Sequence, residues 1–97
     1  MHGINGLVYG NNTGYVMNRG ERVRRHILGM GTEVDLHSPH WHGAMLLHSG
    51  HRLDVTEILP AATKVLDLEA DNAGTWMFHC HVNDHILAGM TTTFTVQ

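Results

Sequence analysis

Residues 76–90 read Trp-Met-Phe-His-Cys-His-Val-Asn-Asp-His-Ile-Leu-Ala-Gly-Met and hold the only cysteine of the chain and three of its ten histidines. The apolar run before His79 predicts a buried strand. Successive side chains of a strand point to opposite faces, so we expect Cys80 on one face and His79 and His81 on the other. One thiol and two imidazoles would then serve two sites, on opposite sides of the same strand.

A second histidine-rich segment lies upstream, at residues 35–43. His40 and His42 are two residues apart and share a face if this segment is a strand. Pro39 interrupts a strand, which lets His37 lie on the side of Cys80. Cysteine, histidine and a thioether form a soft ligand set that suits copper, and two histidines, one cysteine and a weak axial methionine are typical of a blue-copper site. The alternation of side chains along a strand permits this division into two sites but does not prove it.

The rest of the chain predicts short strands separated by turns. Strands are predicted at residues 7–9, 14–17, 22–28, 44–47, 54–59, 63–68, 75–81 and 91–96, with one helical turn at 83–88. Clusters such as Gly10-Asn11-Asn12 and Ser49-Gly50 separate them. Many short strands of this kind indicate an all-β sandwich or barrel. Trp41, between two candidate ligands, is expected to point away from them and pack in the core.

Together, the two histidine motifs resemble the C-terminal cupredoxin domain of multicopper oxidases. The resemblance rests on His37-x-x-His40-x-His42 and on His79-Cys80-His81-x-x-x-His85-x-x-x-x-Met90. Ile4-Asn5-Gly6 and residues 29–37 extend it over nearly the whole chain, and it is nearest to ceruloplasmin-like and small laccase-like members. It implies a cupredoxin-like Greek-key β-sandwich or barrel, a single domain over residues 1–97, and copper as the cofactor.

The resemblance also implies a role for each motif residue. The type 1 copper ligands would be His37, Cys80, His85 and Met90. The type 2 and type 3 coppers of a trinuclear cluster would be held by His40, and by His42, His79 and His81. In the family that cluster takes its other histidines from a second cupredoxin domain. Cys80 and His85 would carry the electron transfer. Asp84 is open between a proton-donating or accepting role in oxygen reduction and a loop-capping role.

Two functions follow, and both are open at this stage. In the first, the chain is an oxidase unit that oxidises phenols, amines or metal ions and reduces O₂ once a homo-oligomer or a partner cupredoxin domain completes the cluster. In the second, it is a blue-copper electron carrier without oxidase activity. A nitrite-reductase-like trimer is a third option. The His79-Cys80-His81 order favours the oxidase, because a simple carrier has no need of both flanking histidines, whereas the chain length favours the carrier.

Composition argues against several other classes. Six Lys and Arg against nine Asp and Glu give a net charge of −3, which disfavours nucleic acid as a partner. No apolar run reaches membrane length, so no membrane partner is predicted. A lone cysteine cannot form an intrachain disulfide. One cysteine with many histidines and a methionine is also an unusual ligand set for a structural zinc site. The chain enters the fold without a predicted secretion signal, although the family it resembles is often secreted or periplasmic.

Polar residues outside the motifs are expected at the surface. Arg24-Arg25-His26 departs from the resembled family, which tends to carry aromatic or apolar residues there, where domains pack together. These charges predict a strand face open to water, either in a domain adapted or engineered to stand alone or simply as a polar strand face. Solvated positions are also predicted for the remaining histidines, His2, His26, His48 and His51.

Overall fold

The fold is a sandwich of two four-stranded sheets. A computed structural model describes residues 2–97, and Met1, where the predicted domain begins, lies outside the described residues. The elements are β1 (Tyr15–Met17), β2 (Arg22–Leu28), β3 (Pro39–Trp41), β4 (Leu46–His48), β5 (His51–Leu53), β6 (Thr63–Glu69), β7 (Gly74–Cys80), α1 (Asn83–Leu87) and β8 (Thr91–Val96). The sheets have the orders β1-β8-β7-β3 and β2-β6-β4-β5. The all-β prediction is confirmed, and within residues 2–97 no helix has the length and apolar character needed to cross a membrane.

The core lies between the two sheets and is built by alternation along the strands. On β6, Leu66 and Leu68 are buried while the residues between and beside them are not. The buried cluster comprises Met17, Trp41, Leu46, Leu66, Leu68, Ala70, Phe94 and Val96. Trp41 is 2% exposed and stacks on Phe78 with ring centroids 4.6 Å apart. Its packing confirms that it points away from the histidines beside it, and burial of each large apolar side chain contributes about 1.5–3 kcal/mol.

Two predicted strands are irregular segments in the structure. At residues 7–9, Leu7 makes a single bridge to Ile4, and Tyr9 has a positive φ of 54°, a left-handed conformation that ends an extended segment. Residues 54–59 make only isolated bridges, from Val55 to His40 and from Ile58 to His37. The second segment therefore flanks both upstream histidines without forming a ladder.

Two of the observed strands were not among those predicted: β3, considered only as a possible strand around His40 and His42, and β5. β5 pairs with β4 across the Ser49-Gly50 turn, with His48 opposite His51. Ser49 and Gly50 have φ angles of 49° and 79°, the two positive values that a type I′ hairpin turn requires. The polar composition of β5 hid it, because the strand is largely exposed.

The charged segment of β2 divides between the two faces of its sheet. Arg24 is exposed, and its Nε donates to Asp67 at 2.8 Å. Arg25 points to the inner face, where its neighbours Val23 and Ile27 pack against the core. The prediction that this whole segment faces water is therefore wrong for Arg25, because strand alternation turns every second side chain inward.

Strands β3 and β7 bring the two histidine motifs together. They are antiparallel, with His40 opposite His79 and Pro39 opposite Cys80. Pro39 is the first residue of β3, an edge strand, where a missing backbone donor is tolerated. After β7 the chain forms the predicted helical turn, α1, and returns so that the Cys80 N–H donates to the Met90 carbonyl at 3.1 Å. This loop carries His85 back towards Cys80.

Candidate metal centres

The first centre, here called the thiol site, consists of Cys80, His37 and His85. One donor atom from each lies within 4.8 Å of the others, and the Cys80 Sγ is 3.5 Å from the His85 Nδ1. All three are nearly inaccessible to solvent, with exposed fractions of 2%, 6% and 7%. Each comes from a different part of the sequence: the end of β7, the segment before β3, and α1.

Hydrogen bonds orient two donors of the thiol site. The His37 Nε2–H donates to the Met30 carbonyl at 2.8 Å, which leaves Nδ1 as the unprotonated nitrogen of the neutral ring. That Nδ1 is buried and has no hydrogen-bond partner within residues 2–97. The backbone N–H of Ser38 donates to the Cys80 Sγ at 3.4 Å, a contact that helps to hold the sulfur in place.

Met90 is held beside the thiol site by its backbone. Its N–H donates to the His85 carbonyl at 3.0 Å, and its own carbonyl accepts from Cys80. Met90 and His37 both line a cavity of about 510 Å³ at the surface of the site. The structure thus groups Met90 with the three other residues for which a type 1 role was predicted.

Four imidazoles form the second centre, here called the histidine cluster. Its members are His40, His42, His79 and His81. The ring centroids of His40 and His42 are 4.6 Å apart, and those of His79 and His81 are 5.5 Å apart. The thiol site and this cluster therefore lie on opposite sides of the end of β7, as the alternation of side chains predicts.

The hydrogen bonds of the cluster fix which nitrogens are free. The His79 Nδ1–H donates to the Cys80 carbonyl at 2.7 Å, so its Nε2 carries the lone pair and accepts from the His42 Nε2 at 3.0 Å. The His40 Nε2 lies 3.5 Å from an Asp54 carboxylate oxygen, and its Nδ1 is buried without a partner in the described part of the chain. The cluster thus brings together imidazole nitrogens whose lone pairs are not all satisfied by hydrogen-bond donors from the described residues.

Burial keeps one ring of each centre neutral. It lowers the pKa of His40, with the nearby imidazole of His42 as the next cause. It also lowers the pKa of His85, followed by the influence of His2. The neutral imidazole is the form that binds metal, so both environments favour the ligand state.

Two residues at these centres were not assigned from the sequence. His2, predicted to be solvated, is half-buried and stacks on His85 with ring centroids 3.7 Å apart. Asp54 contacts His40 from the irregular segment after β5. Both are distant in sequence from the residues that they contact, and no spacing rule linked them to a motif. By contrast, His26 and His51 are exposed as predicted, and His48 contacts the Val65 carbonyl.

Comparison with known proteins identifies the family. The sequence matches the profile described as "Multicopper oxidase" over residues 1–97. The chain belongs to the multicopper oxidase family. Its fold is that of the cupredoxin units in this family: a solved multicopper oxidase superposes with a TM-score of 0.83 over 98% of this chain and 36% of that one, at 24% identity. The fold predicted from the resemblance is confirmed.

Two human relatives are similar along the whole chain. Hephaestin is 46% identical over 99% of this chain, and a protein named ferroxidase HEPHL1 is 44% identical over 99%. In both cases the chain spans only 8% of the relative's own length. It corresponds to one cupredoxin-sized part of much longer proteins.

Copper is the cofactor that the family implies, and the residues present fit it. The thiol site combines a buried thiol with two imidazoles and is hydrogen-bonded to the backbone of Met90, and cysteine, histidine and methionine form a donor set that suits copper better than zinc or magnesium. Unpartnered buried nitrogens are rare in folded proteins because they carry a desolvation cost. The lone Nδ1 atoms of His37 and His40 are therefore explained if each binds a metal.

Proposed function

We propose that this chain is a copper-binding oxidoreductase unit with a type 1 site and one half of a trinuclear copper cluster. The thiol site, with Met90, would hold the type 1 copper. The histidine cluster would supply His40 to the type 2 copper and His42, His79 and His81 to the type 3 pair. The observation that carries the proposal is the separation of the two donor groups onto opposite sides of β7, joined by the adjacent residues 79–81.

The chain's own residues prepare both sites for redox chemistry. When bound, copper supplies one-electron chemistry between two oxidation states. The Ser38 N–H donates to the Cys80 Sγ, the Met30 carbonyl orients His37, and the Cys80 carbonyl orients His79. Because Cys80 is bonded directly to His79 and His81, the covalent path between the two sites is short. Oxidation of a reductant at one site and reduction of O₂ at the other are thereby coupled within one strand.

The surroundings of His85 favour a cationic reductant. Asp35 and Asp84 are the neighbours that act to raise the pKa of His85, against the larger effect of burial. Both carboxylates therefore add negative potential where a reductant would approach. A related protein is named a ferroxidase, and ferrous ion is a cation of the expected kind. Asp84 lies in the first turn of α1, whose N-cap residue, Val82, makes no side-chain hydrogen bond, and we assign Asp84 this electrostatic role as part of the proposal.

Anaerobic reduction tests this function. Addition of ferrous ion to the copper-loaded chain should bleach its blue colour by one electron per thiol site. Asp84→Asn should slow bleaching by ferrous ion by roughly three- to tenfold at low salt, since one exposed charge near the site is worth about 1 kcal/mol. The rate at which uncharged hydroquinone bleaches the Asp84→Asn variant should equal that of the wild type. Equal slowing with both reductants would contradict the electrostatic role, and failure of both to bleach the wild type would contradict the electron-transfer function.

The histidine cluster would supply half of the ligands of a trinuclear cluster, so the proposed oxidase needs a partner that supplies the other half. A second copy of this chain or a homologous cupredoxin domain would place its own histidines against His40, His42, His79 and His81. A two-fold pair of chains would present the same patch on both sides, the commonest oligomer symmetry. In that arrangement, two type 1 coppers and one trinuclear cluster amount to about 2.5 coppers per chain.

Sedimentation of the chain with and without copper tests whether two copies pair. If copies pair, copper should shift the chain from monomer to dimer, because a ligand that binds only the assembled state favours assembly by mass action. The dimer should consume O₂ with ferrous ion. A monomer with one copper that is reduced but consumes no O₂ would instead support the alternative, a single-domain blue-copper carrier.

A further inference from the structure

Arg25 is a half-buried cation that has no salt-bridge partner within residues 2–97. Its guanidinium crosses from β2 to β1, where one Nη donates to the Met17 sulfur at 3.5 Å, and a thioether is a weak acceptor. Its Nε is buried and has no hydrogen-bond partner within residues 2–97. Burial lowers the pKa of Arg25, and the one opposing influence comes from Tyr15, a phenol rather than a carboxylate. A buried guanidinium nitrogen without an acceptor carries a desolvation cost.

Beside Arg25 lies a cavity of about 120 Å³ with an apolar wall. Trp41, Phe78, Phe94 and Ile27 line it, together with Arg25 and Tyr15. A water molecule needs only about 10–15 Å³ of such volume, and an apolar cavity of about 150 Å³ accommodates benzene. The space is somewhat smaller than that, so it holds at most one small ring, with an anionic group at the arginine end.

The Tyr15 hydroxyl offers a second free donor to the same cavity. It accepts hydrogen bonds from the amino groups of Asn5 and Asn12, both at 2.7 Å. The Asn12 amino group also donates to the Ile4 carbonyl at 2.9 Å, which fixes the orientation of that amide. Tyr15 is thus the acceptor in both contacts, and its own O–H hydrogen remains available. Two donors without acceptors then border one cavity.

We propose that this cavity binds a small aromatic monocarboxylate. The carboxylate accepts from the Arg25 Nε and the Tyr15 hydroxyl, and the ring packs against Trp41 and Phe78. A single negative charge matches the single arginine, and an Arg–carboxylate contact is among the stronger hydrogen-bonded pairs. None of the proposed copper ligands lines the cavity, so the site goes beyond the proposed function and stands independently of it.

Calorimetric titration of the full 97-residue chain with sodium benzoate tests the site. Benzoate should bind, and benzyl alcohol, of similar shape but uncharged, should bind at least about tenfold more weakly, the effect of one charged hydrogen bond. Arg25→Met should weaken benzoate binding by a similar factor, and Tyr15→Phe by about two- to tenfold. Arg24→Met is the matched control: it removes an arginine from the outer face of the same strand, and it should leave binding unchanged.

The outcomes separate the site from unspecific association. Absence of benzoate binding to the wild type would overturn the proposal, as would equal binding by Arg25→Met or equal affinity for benzyl alcohol. Loss of binding in Arg24→Met, with retention in Arg25→Met, would place the anion on the outer face and also overturn it. If circular dichroism shows Arg25→Met to be unfolded, Tyr15→Phe decides: unchanged benzoate affinity in that variant overturns the proposal.

Discussion

Replacement of Cys80 by Ser is expected to abolish the blue colour of the copper-loaded chain. The intense visible absorption of a type 1 site arises from charge transfer between a cysteine thiolate and copper, and a serine hydroxyl of nearly the same size cannot supply it. The thiol is buried, lies 3.5 Å from the His85 Nδ1 and accepts from the Ser38 N–H. Visible spectra of wild type and Cys80→Ser, recorded at equal copper loading, measure the loss, which should be complete.

Met90→Leu is the matched variant for this test. It replaces the thioether by an apolar side chain of similar volume, so the fold should be retained. The axial ligand of such sites is weak and tunes the reduction potential. The blue colour should therefore persist while the potential rises, as redox titration followed in the visible band can show. A copper-loaded wild type that is colourless, with Cys80 shown to be reduced and unmodified, would contradict the type 1 assignment.

The sequence predicted which side chains lie together better than it predicted where strands begin and end, because the alternation of side chains along a strand does not depend on its exact ends. His79, Cys80 and His81 alternate wherever β7 begins, and His40 and His42 share a side for the same reason. Pro39 separates His37 from that register, and the structure places His37 with Cys80. The helical turn at 83–88 was predicted from the sequence, but the return of His85 and Met90 to Cys80 was implied only by the resemblance, since no periodicity predicts where a loop closes.

What the sequence could not give depends on long-range contacts. His2 reaches His85 from the opposite end of the chain, and Asp54 reaches His40 from a segment that mimics a strand in its apolar pattern. Arg25 was predicted to be solvated together with its charged neighbours. A charged residue at an inward position does not produce the alternation of apolar and polar residues that reveals which face of a strand is buried. In each case the tertiary fold supplied a neighbour that local sequence does not encode.

The double replacement His40→Ala with His42→Ala is expected to leave the blue colour largely intact and to remove the copper of the histidine cluster. The two imidazoles lie on the side of β7 away from Cys80, and neither belongs to the donor group of the thiol site. Two of the four cluster histidines would be gone, and loss of metal ligands weakens binding by more than the 10- to 100-fold typical of lost supporting contacts. Visible spectra and copper counted per chain measure the two sites separately, and O₂ consumption by any assembled form should fall to background.

His48→Ala with His51→Ala provides the matched control, because it removes two histidines that face each other across the β4–β5 hairpin and touches neither centre. Its copper content, colour and O₂ consumption should equal those of the wild type. Loss of the blue colour in His40→Ala with His42→Ala, while circular dichroism shows the fold preserved, would mean that the two centres are not separable. Equal loss of copper in both double variants would mean that the cluster histidines bind no more specifically than surface ones. Retained colour with lost cluster copper, in the first variant alone, is the result that two sites on opposite sides of one strand require.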